Sequence, residues 1–265
     1  MTQKVAIIGG GRMGQAMIYG WIKAGLDFEF SLFDPVVNEE FQKFLSTNNW
    51  KINPTEGFFD IVICAVKPQI FPTIGENLKK LCGEETLVVS IMAGINLATL
   101  QSASGCGRVV RAMPNTPGQI GSGITAYIGN NSCVSQDFEC VEKLLSPLGE
   151  VVKVSAEHDI DAVTAVSGSG PAYIFLMAEA MIAASQNEGL DRETSEKLVI
   201  ETILGSAKLL KESGQSAQEL RKAVTSPNGT TAAALDVLTN NAALFELMRN
   251  AIRAAAHRSK ELGKN

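Results

Sequence analysis

Apolar and polar positions divide the chain into two halves of different rhythm. Up to about residue 155, short β-branched apolar runs recur at 5–8, 29–33, 61–66, 87–92, 109–112, 124–128 and 151–154. Between them, stretches at 15–24, 38–49, 71–81 and 135–148 carry apolar residues at helical spacing. Strand and helix in alternation predict a mainly parallel, doubly wound sheet with helices on both faces. Ligands gather outside the carboxyl ends of the strands in such a sheet. After Val154 the β-branched runs stop and Ala, Leu, Met, Glu and Lys take over. The spacing there predicts helices over 171–188, 193–211, 217–224 and 242–262, bounded by Gly189, Gly214, Pro227 and Gly263. The expected fold class is α/β, with a doubly wound domain over 1–155 and an all-helical domain over 156–265.

The helix beginning at Pro171 is apolar nearly all round, with Glu179 its only charge before Glu188. Such a helix must be buried on every side. A helical domain of about 110 residues has limited means to enclose one. The pattern therefore predicts self-association, through helix exchange about a two-fold axis.

The first strand, Val5–Ile8, runs directly into glycines spaced G-x-G-x-x-G at Gly9, Gly11 and Gly14 and then into a helix. The first glycine permits a sharp turn, the second admits a pyrophosphate against the backbone, and the third lets helix pack on strand. The pyrophosphate would sit at the positive end of the helix starting near Arg12. Asp34 follows Gly14 by 20 residues, at the end of the second apolar run. It stands where a ribose-binding carboxylate belongs, and its charge would repel a 2′-phosphate, which favours NADH over NADPH. A turn-forming Asp-Pro pair is the bland alternative, and Arg12 could soften the preference by meeting a phosphate.

Bulk properties narrow the partners. The formal net charge is −5, with neither sign gathered into long runs, so neither nucleic acid nor a membrane surface is an expected partner. Five cysteines without a C-x-x-C pair read as reduced thiols of a cytoplasmic protein, most of them core filler. No signal-peptide core is visible and no 18-residue apolar stretch is expected. Neither His158 nor His257 sits in a metal-ligand spacing or near a nucleophile motif, so no metal is expected.

Four further segments carry candidate chemistry. Ala65-Val-Lys-Pro68 ends the third parallel strand and would meet the cofactor, unless it is an ordinary strand-ending turn. Met92-Ala-Gly94 ends the next strand in small residues that would let nicotinamide or ribose approach, although a plain glycine turn explains it nearly as well. In Arg111-Ala-Met-Pro-Asn-Thr-Pro117 two prolines would hold Asn115 and Thr116 rigidly in the cleft. Last, Ser167-Gly-Ser-Gly-Pro171 and Ser226-Pro-Asn-Gly-Thr-Thr231 each lead into a helix through glycine and hydroxyl residues, which suits a carboxylate. Helix capping by Ser169 and by Thr230 or Thr231 is the alternative, but it accounts for only one hydroxyl per helix.

Together these segments closely resemble the pyrroline-5-carboxylate reductase family over nearly the whole chain. The resemblance implies a Rossmann domain followed by a helical dimerisation domain, often assembled as decamers of five dimers. It implies hydride transfer from NAD(P)H to a cyclic imine, 1-pyrroline-5-carboxylate, giving L-proline in the last step of its biosynthesis. By position, Gly9, Gly10, Gly11, Arg12, Met13, Gly14, Asp34, Asn53, Ala65, Val66, Lys67, Pro68, Met92, Ala93 and Gly94 would line the cofactor. Ser226, Gly229, Thr230 and Thr231 would hold the substrate, with Thr231 in the catalytic position beside the ring nitrogen. Asn228 stands where the family usually has glycine, a replacement that a left-handed turn permits.

Two rivals share parts of this pattern. A β-hydroxyacid dehydrogenase would need a lysine on the long helix as proton acceptor, and residues 161–190 contain no Lys, Arg or His. A nucleotide sensor without chemistry would have no use for the Thr230–Thr231 pair, and proline analogues should leave its melting temperature unchanged.

Overall fold

A computed structural model describes residues 2–55 and 57–263; Met1 and residues 264–265, the outer ends of the two expected domains, lie outside the described residues. The elements follow in the order β1 Lys4–Ile8, α1 Arg12–Lys23, β2 Glu29–Phe33, α2 Glu39–Thr47, β3 Lys51–Ile52, β4 Phe59–Cys64, α3 Phe71–Leu81 and β5 Cys82–Ser90. Then come α4 Leu97–Ser104, β6 Arg108–Met113, β7 Gly123–Gly129, α5 Ser135–Leu145, β8 Gly149–Lys153 and α6 Asp159–Val163. Five further helices follow: α7 Gly170–Asn187, α8 Arg192–Glu212, α9 Ala217–Ala223, α10 Thr230–Thr239 and α11 Ala243–Leu262.

The eight strands form one sheet in the order β3-β2-β1-β4-β5-β6-β7-β8. All neighbours are parallel except β6 and β7, which pair antiparallel with Ala112 opposite Tyr127. The period of two along β1 sets the layers. Val5 and Ile7 join a core with Met17 and Trp21 of α1, Phe41 of α2 and Leu144 of α5. Ala6 and Ile8 join the opposite core with Phe71 and Leu78 of α3 and Leu100 of α4. Both faces are thereby covered, as a parallel sheet requires.

Trp21 anchors the first core. It is fully buried, stacks on Phe30 at 5.0 Å, and donates its indole N–H to the Leu144 carbonyl at 2.6 Å. Trp21→Phe keeps the ring but leaves that carbonyl unpaired, so urea denaturation should show a loss of about 1–3 kcal/mol. An unchanged midpoint would show that the hydrogen bond contributes nothing.

The cysteines carry no disulfide among the described residues. Burial pushes the Cys64 thiol up to about 12, as core filler requires. The interaction of Cys82 with Cys106 raises the first thiol and lowers the second.

The chain divides into two compact units. The first comprises residues up to Ser169 together with those from Ala254 onward, and the second is Gly170–Arg253. α6 belongs to the first unit because its Ile160, fully buried, packs against Met113 and Ala126 of the sheet. The end of α11 returns to the first unit, where Ser259 donates to Asp161 Oδ1 at 2.7 Å.

Within the second unit, α7 has no buried residue, and Phe175 and Leu176 are 67% and 65% exposed. Taken with α6 and the turn between, Asp159–Asn187 includes an 18-residue window of mean hydropathy 1.2, of which 6% is buried. Length and composition alone put this helix at the threshold of a membrane span, and Glu179 interrupts its apolar run, as the expectation of no unbroken 18-residue stretch has it. Alanine, with Ile, Leu, Phe and Met, sustains the average there without forming an unbroken apolar run. Exposed apolar residues continue on α8 at Leu198, Ile200 and Leu204, interleaved with Lys197, Glu201 and Lys208. A bilayer core disfavours those charges, whereas a protein surface accepts them at its rim.

Candidate active site

The glycine turn separates its three tasks by geometry. Gly9 has φ +107°, and a Cβ there would lie 2.7 Å from the Ala65 carbonyl oxygen. A Cβ on Gly14 would run into the Gly9 carbonyl oxygen, while one on Gly11 would meet nothing within 4 Å. The first and third glycines are thus required by packing, and the second leaves the backbone open to a ligand. Gly11 is the N-cap of α1 without a side-chain cap, so N–H groups of the first turn remain for an anion.

Asp34 follows β2 directly. Its Oδ2 accepts the Gly10 N–H at 2.6 Å and its Oδ1 accepts the Val36 N–H at 2.8 Å. Asn53, in a left-handed conformation, brackets the Asp34 backbone: its Oδ1 accepts the Asp34 N–H at 3.0 Å and its Nδ2 donates to the Asp34 carbonyl at 2.8 Å. Asn53 therefore positions the carboxylate. Gly9, Asp34, Asn53 and Val66 line one cavity of about 740 Å³, walled on the other side by Ile70, Asn77 and Lys80. That volume suits a bound nucleotide moiety. Sequence reading missed Lys80, whose place on the cavity wall follows only from how α3 packs.

The other expected cofactor residues lie outside this cavity. Ala65 closes against Gly9 and Gly14, and Lys67 is exposed ahead of a short 3-10 turn. Met92 is 2% exposed and belongs to the core shared by α3 and α4. A Cβ on Gly94 would lie 3.0 Å from the Leu262 backbone, so the last turn of α11 packs directly against this glycine.

Asn115 braces the fold. Its Oδ1 accepts the Ile124 N–H at 2.9 Å and its Nδ2 donates to the Ser167 carbonyl at 3.2 Å. Between α6 and α7 the helix continues through a π-turn, Thr164–Gly168, closed by Ser169 N–H to Thr164 O at 2.8 Å. Ser169 is therefore no N-cap. The wider turn accommodates Pro171, which has no N–H to give.

In the second unit, Asn228 takes the left-handed conformation with φ 58°, as its replacement of glycine demands. The Gly229 N–H donates to the Ser226 carbonyl at 3.1 Å, and a Cβ on Gly229 would strike Ser226 Oγ. α10 starts at Thr230 with Gly229 as N-cap and no side-chain cap. Thr230 and Thr231 thus lie inside the helix and cap nothing. Among the described residues no hydrogen bond engages the hydroxyls of Ser226, Thr230 or Thr231. Uncommitted hydroxyls beside uncapped helical N–H groups offer donors of the kind an anion takes.

Residues 157–262 match the family model described as pyrroline-5-carboxylate reductase dimerisation. Residues 4–94 match the model described as NADP oxidoreductase coenzyme F420-dependent. The pyrroline-5-carboxylate reductase of Corynebacterium melassecola is 38% identical over 273 residues, covering 98% of this chain and 99% of that protein. That of Methanosarcina acetivorans is 39% identical over 272 residues, covering 99% of each. The chain belongs to the pyrroline-5-carboxylate reductase family. Among solved structures of that family, the Coxiella burnetii protein superposes with TM-score 0.91 at 35% identity, each chain covered in full. The Plasmodium falciparum protein, solved with NADP bound, gives TM-score 0.82 at 31% identity over 98% of each chain. As a member of the family the chain is an NAD(P)-dependent oxidoreductase, and its helical half is of the self-associating type.

Proposed function

We propose that the chain reduces 1-pyrroline-5-carboxylate to L-proline, the closing step of proline biosynthesis. The observation that carries this reading is the α10 turn, where Ser226, Thr230 and Thr231 keep their hydroxyls free beside uncapped N–H groups. Ser226 and the backbone following Gly229 hold the substrate carboxylate. Thr231 accepts a hydrogen bond from the ring N–H of the protonated imine and afterwards steadies the amine. A threonine hydroxyl is too weak an acid to supply the proton, so the imine binds already protonated and the protein chiefly orients it. The nicotinamide cofactor supplies the hydride when bound.

The residues of the first unit fit such a cofactor. Gly11 leaves room for phosphate, α1 offers its N-terminal N–H groups, and Asp34 faces a cavity of nucleotide size. Lys67, Pro68 and the 92–94 turn complete the cofactor surface, as the family resemblance implies. Asp34 makes NADH the preferred donor, since its carboxylate already holds the Gly10 N–H and opposes a 2′-phosphate. The uncovered apolar faces of α7 and α8 make the working form at least a dimer, extended to a decamer of five dimers as the family pattern implies. The unpaired thiols suit the cytoplasm.

Initial rates with racemic pyrroline-5-carboxylate at matched NADH and NADPH concentrations test both halves of the reading. The expected result is turnover with NADH favoured, and a shift towards NADPH of about tenfold to a hundredfold in Asp34→Ser, from removing roughly 1–3 kcal/mol of charge repulsion. Turnover that favours NADPH in the parent chain would keep the reductase and discard the role of Asp34. No turnover with either cofactor would discard the substrate.

A further inference from the structure

The first unit holds a second cavity, of about 430 Å³, lined by none of the residues assigned above to cofactor or substrate. Arg111, Glu157, Asp161, Asn96 and Lys260 are among its walls. Arg111 makes it more than a surface dent. Its side chain is 5% exposed, yet Nε and Nη2 have no hydrogen-bond partner among the described residues. The neighbouring carboxylates stand off, with Glu157 Oε1 3.5 Å from Nη1 and Asp161 Oδ1 3.7 Å from Nη2. Each is engaged elsewhere: Glu157 Oε1 accepts the Leu97 N–H at 2.7 Å, and Asp161 Oδ1 accepts the Ser259 hydroxyl at 2.7 Å. A buried guanidinium with donors to spare calls for a planar acceptor with two oxygens, which a carboxylate supplies.

The charges around Arg111 restrict what else the ligand carries. Lys260 adds a second cation at the rim, while Glu157 and Asp161 face the same space. His257 lies 3.4 Å from Glu261, which also takes Arg258 at 2.8 Å, so that carboxylate is already neutralised. A simple dianion would be opposed by Glu157 and Asp161, and a simple amine by Arg111 and Lys260. A molecule with a carboxylate and an ammonium close together satisfies both sides. Asn96 adds a neutral donor, because its Oδ1 is occupied by the Thr99 N–H while its amide NH₂ has no partner among the described residues.

We propose that this cavity is a binding site for a small α-amino acid, its carboxylate on Arg111 and Lys260 and its ammonium on Glu157 and Asp161. The site is separate from the α10 turn and shares no residue with it. It also backs onto the Met92–Gly94 turn: Gly263 lines the cavity, and a Cβ on Gly263 would lie 3.3 Å from the Gly94 carbonyl. An occupant therefore fixes the last turn of α11 against that segment.

Isothermal titration of the full chain with glycine tests the assignment, glycine being the smallest molecule with both charges. Saturable binding is expected, about tenfold weaker in Lys260→Glu, an exposed position where charge reversal leaves the fold intact, and unchanged in Ser226→Ala. Acetate and methylammonium, each with one charge, are expected to bind at least about tenfold more weakly than glycine. Arg111→Lys should abolish binding; should that buried change unfold the chain, Lys260→Glu alone decides. The proposal is overturned if glycine does not bind, if acetate binds as tightly, or if binding is weakened by Ser226→Ala and not by Lys260→Glu.

Discussion

Gly14→Ala should cost the fold about 4 kcal/mol or more, while Gly11→Ala, three residues earlier, should leave the melting temperature within a few degrees. The contrast comes from where an added methyl group would go. At Gly14 it would press on the Gly9 carbonyl oxygen, and neither α1 nor the turn can retreat, because Met17 and Trp21 of the same helix are fully buried. Such overpacking against backbone has no rotamer to relieve it. At Gly11 the methyl group projects into open space, and the residue's φ of −69° suits alanine. The cost there appears only when a pyrophosphate must approach the backbone, as an NADH affinity lowered about tenfold or more. Thermal denaturation and fluorescence titration with NADH measure the two effects separately. Equal destabilisation by both substitutions would refute the division of tasks.

Thr231→Ala should lower turnover about a hundredfold and leave NADH affinity within about twofold. Thr231 is half-buried in the first turn of α10, where its hydroxyl meets no hydrogen-bond partner among the described residues. Losing it removes no internal hydrogen bond, so helix stability should change little. What is lost is the partner that fixes the ring nitrogen, and with it the alignment of the reacting carbon. Ser226→Ala should act differently, raising KM for the imine more than it lowers kcat, because the carboxylate is held equally before and during hydride transfer. Steady-state kinetics on both variants, with NADH titration as the control, decide the assignment. A loss of NADH affinity matching the loss of turnover in Thr231→Ala would rule out its role beside the ring.

The parts of this architecture visible in the sequence are those in which one residue type answers one local demand. The alternation in β1 assigns Val5 and Ile7 to one face and Ala6 and Ile8 to the other, as found. Asn38 caps α2 through the Phe41 N–H at 2.8 Å, and Asn228 adopts the left-handed turn that a glycine replacement demands. The parts that escaped depend on contacts from elsewhere in the chain. β3 has two residues, too few to show a period. α4 buries only Leu100 and Ser104 and so shows no apolar stripe. β5 begins at Cys82, not near 87, because its first turn of polar residues, Glu84 and Glu85, is held by pairing of Cys82 with Phe59 beyond a bulge. That Leu262 packs against Gly94, and that Asn115 binds Ile124 and Ser167, no local pattern could show. A sequence shows what a residue can do locally, but not which distant segment will claim it.

Because the chain leaves the first unit at Ser169 and re-enters it at Ala254, the second unit is topologically an insertion tethered at both ends. A single cut cannot release either part as an independent module: a fragment stopping at residue 155 would lack Ile160 and the stretch bearing Ser259. The two halves are therefore poor material for recombination by end-to-end fusion, and a natural exchange of the helical part would have to preserve two junctions at once. Such a constraint favours inheritance of the whole chain as one piece.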